Sequence, residues 1–169
     1  NMLISSALGG AQNNPLTPFF WVVAVTGLHI AAFHAEALRG GIEAAASGAD
    51  LVLPSFDDEA THFGDVNAGA TIQRYLSVGA GHVVVKNGGG PMWFGGAQGE
   101  GELPDLAPDL PVDTTAAGDS FNAGYLAAML QGADCAASIR AGHALSRQVI
   151  RHRGALVPEA IEAARAATA

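Results

Sequence analysis

The run Val112-Asp113-Thr114-Thr115-Ala116-Ala117-Gly118-Asp119-Ser120-Phe121-Asn122-Ala123-Gly124 holds most of the chemistry legible in this 169-residue chain. Small residues stand where a loop enters a helix. Such a loop lets backbone N–H groups approach an anion, and the helix N-terminus adds partial positive charge. Asp119 falls in the first turn, where its carboxylate can take a proton from an attacking hydroxyl. The amides of Ala116, Ala117 and Gly118 can stabilise charge that builds on a transferring phosphoryl group. The same residues also suit a plain helix start, with Asp113 or Thr114 as cap and Gly and Ala present for close packing.

Two further segments carry polar groups at strand ends. Lys86 closes the apolar run His82-Val83-Val84-Val85 and precedes Asn87-Gly88-Gly89-Gly90-Pro91. An ammonium there faces either a phosphate or plain solvent. Ser55 follows Asp50-Leu51-Val52-Leu53-Pro54 and is placed to cap a helix. Asp57, Asp58 and Glu59 then fall in the first turn, where the helix dipole favours acids.

These residues need elements to hold them. Asp50–Pro54 and His82–Lys86 are short apolar runs bounded by turn residues, as buried parallel strands are. Met92-Trp93-Phe94 reads as the return arm of a hairpin, and residues 95–112 as a loop with a short edge strand. Apolar periodicity predicts helices over 29–47, 68–78, 117–130, 135–150 and 158–167. Gly48 suits the C-terminal end of the first, and Gly40-Gly41 weakens its middle. Phe19–Val25 is apolar and β-rich. Strands alternating with helices predict an α/β domain with a mostly parallel sheet.

Asp113-Thr114-Thr115-Ala116-Ala117-Gly118-Asp119-Ser120-Phe121 resembles the C-terminal signature of the ribokinase, or PfkB, family of carbohydrate kinases, Asp-Thr-x-(Gly/Ala)-Ala-Gly-Asp-x-Phe. The family more often has Gly where Ala116 stands. The Ala variant, with Asp57-Asp58-Glu59 and Arg151-His152-Arg153-Gly154-Ala155, looks most like the 2-keto-3-deoxygluconate kinases within it. The likeness runs from about Asp50 to Glu159.

The resemblance implies ATP-dependent phosphorylation of a sugar-acid hydroxyl, that of 2-keto-3-deoxygluconate. Asp119 is then the base, and the amides of Ala116, Ala117 and Gly118 form the anion hole. The segment Leu53–Glu59 resembles one that often reads Asn-x-x-Glu, with Ser55 and Asp58 in those places. This puts Ser55 beside the nucleotide and Asp58 near a Mg2+ ion. Val85-Lys86-Asn87-Gly88 resembles the family's Val-Lys-x-Gly turn, which puts Lys86 and Gly88 toward the ATP phosphates. Ala141-Gly142-His143 resembles the helix lining the adenine pocket, so His143 either meets the base or packs at the surface. Rival readings are a kinase for ribose, fructose or a nucleoside, and a non-catalytic nucleotide-binding fragment.

The family's N-terminal half carries a Gly-Gly substrate motif, most sugar contacts and a small β-sheet lid. Residues 1–30 match none of these. The expectation is an unassigned segment over 1–30, then over 31–169 the C-terminal nucleotide-binding part of a three-layer ribokinase-like domain, lacking the N-terminal half and lid. Positioning and exclusion of water supply much of phosphoryl-transfer catalysis, so low activity is expected of the chain alone. An exposed sheet edge predicts cover by residues 19–30 or self-association into a homo-oligomer.

Bulk properties narrow the partners. A formal charge of -8 argues against nucleic acid and anionic membranes as partners. The apolar stretch 19–30 is shorter than the roughly 20 residues that span a bilayer. The single cysteine, Cys135, forms no intrachain disulfide and reads as a small packed side chain, consistent with a cytoplasmic protein.

Overall fold

The computed structural model describes residues 39–104, 106, 109–159 and 162. Internal contacts divide the chain into residues 1–42 and 43–169. Of the first unit, residues 39–42 are described, and they are helical despite Gly40 and Gly41. The predicted strand at 19–25, the first part of the 29–47 helix and most of the 158–167 helix lie outside the described residues.

In the second unit, three strands form a sheet in the order β1-β2-β3: His82–Val85, Met92–Gly96 and Gly101–Leu103. Both pairings are antiparallel, with Val84 opposite Phe94 and Met92 opposite Leu103. The mainly parallel sheet expected from the sequence is therefore not what the described residues show. Among the described residues, parallel pairing is confined to two bridges, Val52 with Val83 and Ser55 with Lys86. The connections explain the difference. The short 86–91 turn can join only antiparallel neighbours, whereas parallel neighbours need a long crossover. Such a crossover lies between the Val52–Ser55 segment and β1, through the helices Phe56–Phe63 and Ala68–Ser77.

The period-2 alternation of β1 divides the core in two. Val84 faces a cluster with Met92, Leu103, Phe121, Tyr125 and Ile139. Val83 and Val85 face the opposite cluster, with Ile72, Tyr75 and Ala80. Helices thus cover both faces of the sheet, as the three-layer reading expects. Full burial of side chains such as Phe121 and Ile139 stabilises by about 1.5–3 kcal/mol each.

The helices Ala117–Leu130 and Cys135–Ile150 occur over the residues that the sequence pattern predicts. Asp134 starts the second by accepting the Ala137 N–H at 2.7 Å. Two glycines set how closely the pair packs. A Cβ at Gly124 would lie 2.8 Å from the Ala141 carbonyl oxygen, and one at Gly142 would lie 2.7 Å from that of Phe121. Backbone against backbone, the second helix brings His143 and Ser146 beside the start of the first.

Ser55 occupies the N-cap position of Phe56–Phe63, but its side chain makes no capping hydrogen bond. Its backbone is engaged instead in the bridge to Lys86. Of the three acids after it, Asp57 and Asp58 are exposed and Glu59 is buried. Glu59 pairs with Arg74 and accepts the Tyr75 hydroxyl at 2.9 Å. Arg74 also pairs with Asp65 at 2.9 Å and lies 3.9 Å over the Phe63 ring. Burial, then the charge of Glu59, push the Tyr75 hydroxyl up to about 12. Beyond its place in the first turn, Glu59 thus bonds the two helices together.

Cys135 is buried as expected. The Nε2 of His82 lies 3.3 Å from its sulfur, and burial pushes the thiol pKa up. A thiol held protonated in this way is a packing group rather than a nucleophile. Among the described residues, no helix is long and apolar enough to cross a membrane.

Candidate active site

The Ala117–Leu130 helix starts differently from the two capped starts considered above. Its N-cap is Ala116, at φ 59° and ψ 17°, and no side chain caps it. Neither Asp113 nor Thr114 takes that place. Among the described residues, Ala116 is the one non-glycine with positive φ. That left-handed conformation costs an L-residue about 1–2 kcal/mol. It turns the chain sharply, and the first helical amide, that of Ala117, donates back to the Thr114 carbonyl at 3.1 Å rather than to a capping side chain.

The turn is held from several sides. The Ser120 hydroxyl donates to the carbonyl oxygens of Ala116 at 2.8 Å and Ala117 at 3.0 Å. The Ser146 hydroxyl, from the neighbouring helix, donates to the Ala117 oxygen at 3.0 Å. Asp113 shapes the preceding loop, accepting the Thr115 N–H and the Gly154 N–H, each at 2.9 Å. Those two amides hold the Asp113 carboxyl down at a pKa of about 2.

A cleft of about 470 Å³ opens in front of this turn. Ala117 and Gly118 line it, together with Ser55, Asp58, Lys86 and Gly88. His143 lines it from the Cys135–Ile150 helix. Seven of the nine residues singled out from the sequence thus meet at one cavity. The other two are Ala116, whose role is the turn itself, and Asp119, which is exposed in the first helical turn.

Lys86 enters from the end of β1. Its amide donates to Pro54 and its carbonyl accepts from Phe56, at 2.9 and 2.8 Å, so its backbone is fixed on both sides. The Nζ lies 3.5 Å from where a Gly118 Cβ would be. Burial pushes its pKa down, while the charges of Asp119 and Asp58 oppose the shift. The ammonium therefore stands beside the helix start with an acid from each of two helices acting on it. Gly88, at φ 50°, supplies the left-handed step of the next turn.

Several site residues escaped the sequence reading. Asn122 accepts from Lys86 Nζ at 3.1 Å. Ser146 and Arg147 line the cleft beside His143, from positions i+3 and i+4 on the same helix face. Asp109 pairs with Arg147 at 2.7 Å and with Arg151 at 2.9 Å, anchoring the loop after β3 to the last long helix. Helical spacing from His143 was the signal for Ser146 and Arg147. Asp109 had none, since its partners lie about forty residues on.

A cleft that brings a half-buried ammonium to a helix N-terminus, with a first-turn carboxylate beside it, has the groups to bind and act on a phosphoryl group. The chain belongs to the pfkB family of carbohydrate kinases, which matches it over residues 29–161. A curated relative is the 2-dehydro-3-deoxygluconokinase of Escherichia coli strain K12. It is 40% identical over 113 residues, which are 64% of this chain and 36% of that protein. The chain thus spans about a third of the length of this relative. In fold it is similar to a PfkB protein from Polaromonas sp. JS666, with a TM-score of 0.61 and 26% identity over 76% of this chain and 41% of the other. The aminoimidazole riboside kinase of Salmonella enterica, solved with aminoimidazole riboside and an ATP analogue, gives a TM-score of 0.63. Its identity is 22%, covering 76% of this chain and 46% of that one.

Proposed function

We propose that this chain forms the nucleotide and phosphoryl-transfer part of a sugar kinase acting on 2-keto-3-deoxygluconate with ATP and Mg2+. The observation that carries this reading is the meeting of Lys86, Gly118 and Asp119 at the start of one helix, beside a cleft that also reaches His143. The choice of sugar acid rests on the named relative.

In this reading the amides of Ala116, Ala117 and Gly118 hold the phosphoryl oxygens, that of Ala117 by releasing the Thr114 carbonyl, and Lys86 adds one fixed positive charge. Asp119 accepts the proton of the attacking hydroxyl. Its solvent exposure suits a base whose substrate closes over it. Ser55 and Gly88 contact the nucleotide from the strand side, and His143 meets the base. Among the described residues, no group of three or more His, Cys, Asp or Glu side chains could hold a metal ion. The donor set therefore fits Mg2+ only as a companion of the nucleotide, with Asp58 orienting its water. The ion would neutralise charge on the phosphates. No described residue is assigned to the sugar.

The test is calorimetric titration of the purified chain with Mg-ATP, with a phosphoryl-transfer assay on 2-keto-3-deoxygluconate and an Asp119→Ala variant. The expected result is Mg-ATP binding that Asp119→Ala leaves within about twofold. Any turnover falls about 10²–10⁴-fold in the variant, the range for loss of a general base. Turnover with ribose, fructose or a nucleoside in place of the sugar acid would move the substrate assignment within the family. Absence of nucleotide binding would overturn the proposal.

A further inference from the structure

Lys86 is the sole lysine of the sequence. The active-site cleft therefore depends on one ammonium group, and something must aim it. Its backbone is held by Pro54 and Phe56, but four methylenes separate that anchor from the charge. Nothing in β1 fixes where the tip points.

The tip is fixed from the opposite side of the cleft. Asn122 stands one helical turn after Gly118, on the same face of the Ala117–Leu130 helix. Its Oδ1 accepts from Lys86 Nζ at 3.1 Å. The Nζ lies 6.0 Å from the centre of the Phe121 ring, so this flank offers little polar competition. The charges acting on the ammonium are those of Asp119 and Asp58, while Asp109, Arg147 and His143 line the same cleft. No carboxylate pairs directly with Lys86 among the described residues.

We infer that Asn122 is a positioning residue, which holds the Lys86 ammonium against the helix start as a neutral acceptor and so leaves its charge to the bound anion. The neutrality matters as much as the contact. A carboxylate in this place would hold the lysine more firmly, but would cancel the charge that attracts phosphate. An amide carbonyl uses one of three N–H donors and leaves two to point into the cleft. The inference deepens the kinase reading and rests on it for the identity of the anion.

The sole lysine makes the test direct. Protein grown with 13C,15N-lysine gives a single ammonium signal, and its visibility depends on slow proton exchange from a hydrogen-bonded Nζ. Circular dichroism confirms that each variant is folded. In Asn122→Ala the signal is expected to disappear, and Mg-ATP affinity to fall roughly tenfold, as for a lost hydrogen bond to a charged group. In Asn122→Asp the signal is expected to persist while affinity falls at least as far.

An unchanged signal and affinity in folded Asn122→Ala would overturn the inference. So would undiminished Mg-ATP binding in Asn122→Asp, because the acceptor's neutrality would then be immaterial. If the signal behaves as expected while the unsubstituted chain binds no Mg-ATP, the positioning contact stands and the kinase reading falls.

Discussion

The Gly154 amide donates to Asp113 Oδ2 at 2.9 Å, tying the loop before the Ala117–Leu130 helix to the turn after the last long helix. The other carboxylate oxygen takes the Thr115 amide, so one side chain secures both approaches to the site. Asp113 sits where a capping residue was one candidate reading, yet it organises the loop and does not cap the helix.

This contact predicts an acid dependence. The Gly154 and Thr115 amides lower the folded-state pKa of Asp113 to about 2, against an ordinary value of 3.8. The unfolded chain therefore binds more protons between those values, and stability rises with pH there. The contribution is complete above about pH 4 and is lost as pH falls toward 2. Acid unfolding followed by circular dichroism should be less steep in that window for Asp113→Asn. An unaltered slope would show that the two amides do not hold the charge.

Ala116→Gly should stabilise the chain by about 1 kcal/mol. The left-handed backbone costs Ala about 1–2 kcal/mol. Glycine avoids that cost but gives back part of it in unfolded-state entropy. Urea unfolding measures the difference. Mg-ATP affinity should change by less than about twofold, because the amide at 116 remains in place.

Glu59→Ala should destabilise the chain by about 3 kcal/mol, within the range for removing one partner of a buried ion pair. The substitution strands the Arg74 guanidinium against Asp65 alone and leaves the Tyr75 hydroxyl without its acceptor. Thermal unfolding of Glu59→Ala beside Asp57→Ala distinguishes the two acids. The exposed Asp57 should change stability by less than about 0.5 kcal/mol.

The sequence by itself determined the elements whose signals are local. The bounds of Ala117–Leu130 and Cys135–Ile150 follow from apolar periodicity and from turn or capping residues within a few positions of each end. His82–Val85 was legible as a buried strand, and Met92–Phe94 as its return arm, because a short glycine-rich turn separates them. Seven of the residues lining the cleft, from Ser55 to His143, were also legible, through four separate segments that resemble those of the family, whereas Asp109, Ser146 and Arg147 were not. Tertiary structure decided what depends on partners far along the chain. Ala116 adopts a positive φ because the loop is fixed by Asp113 and the turn by Ser120 and Ser146, and an alanine in a sequence carries no sign of that. Glu59 becomes buried because Arg74 and Tyr75 arrive fifteen and sixteen residues later. Asn122 meets Lys86 across thirty-six residues, and only the packed sheet and helix bring a neutral acceptor to the one ammonium of the site.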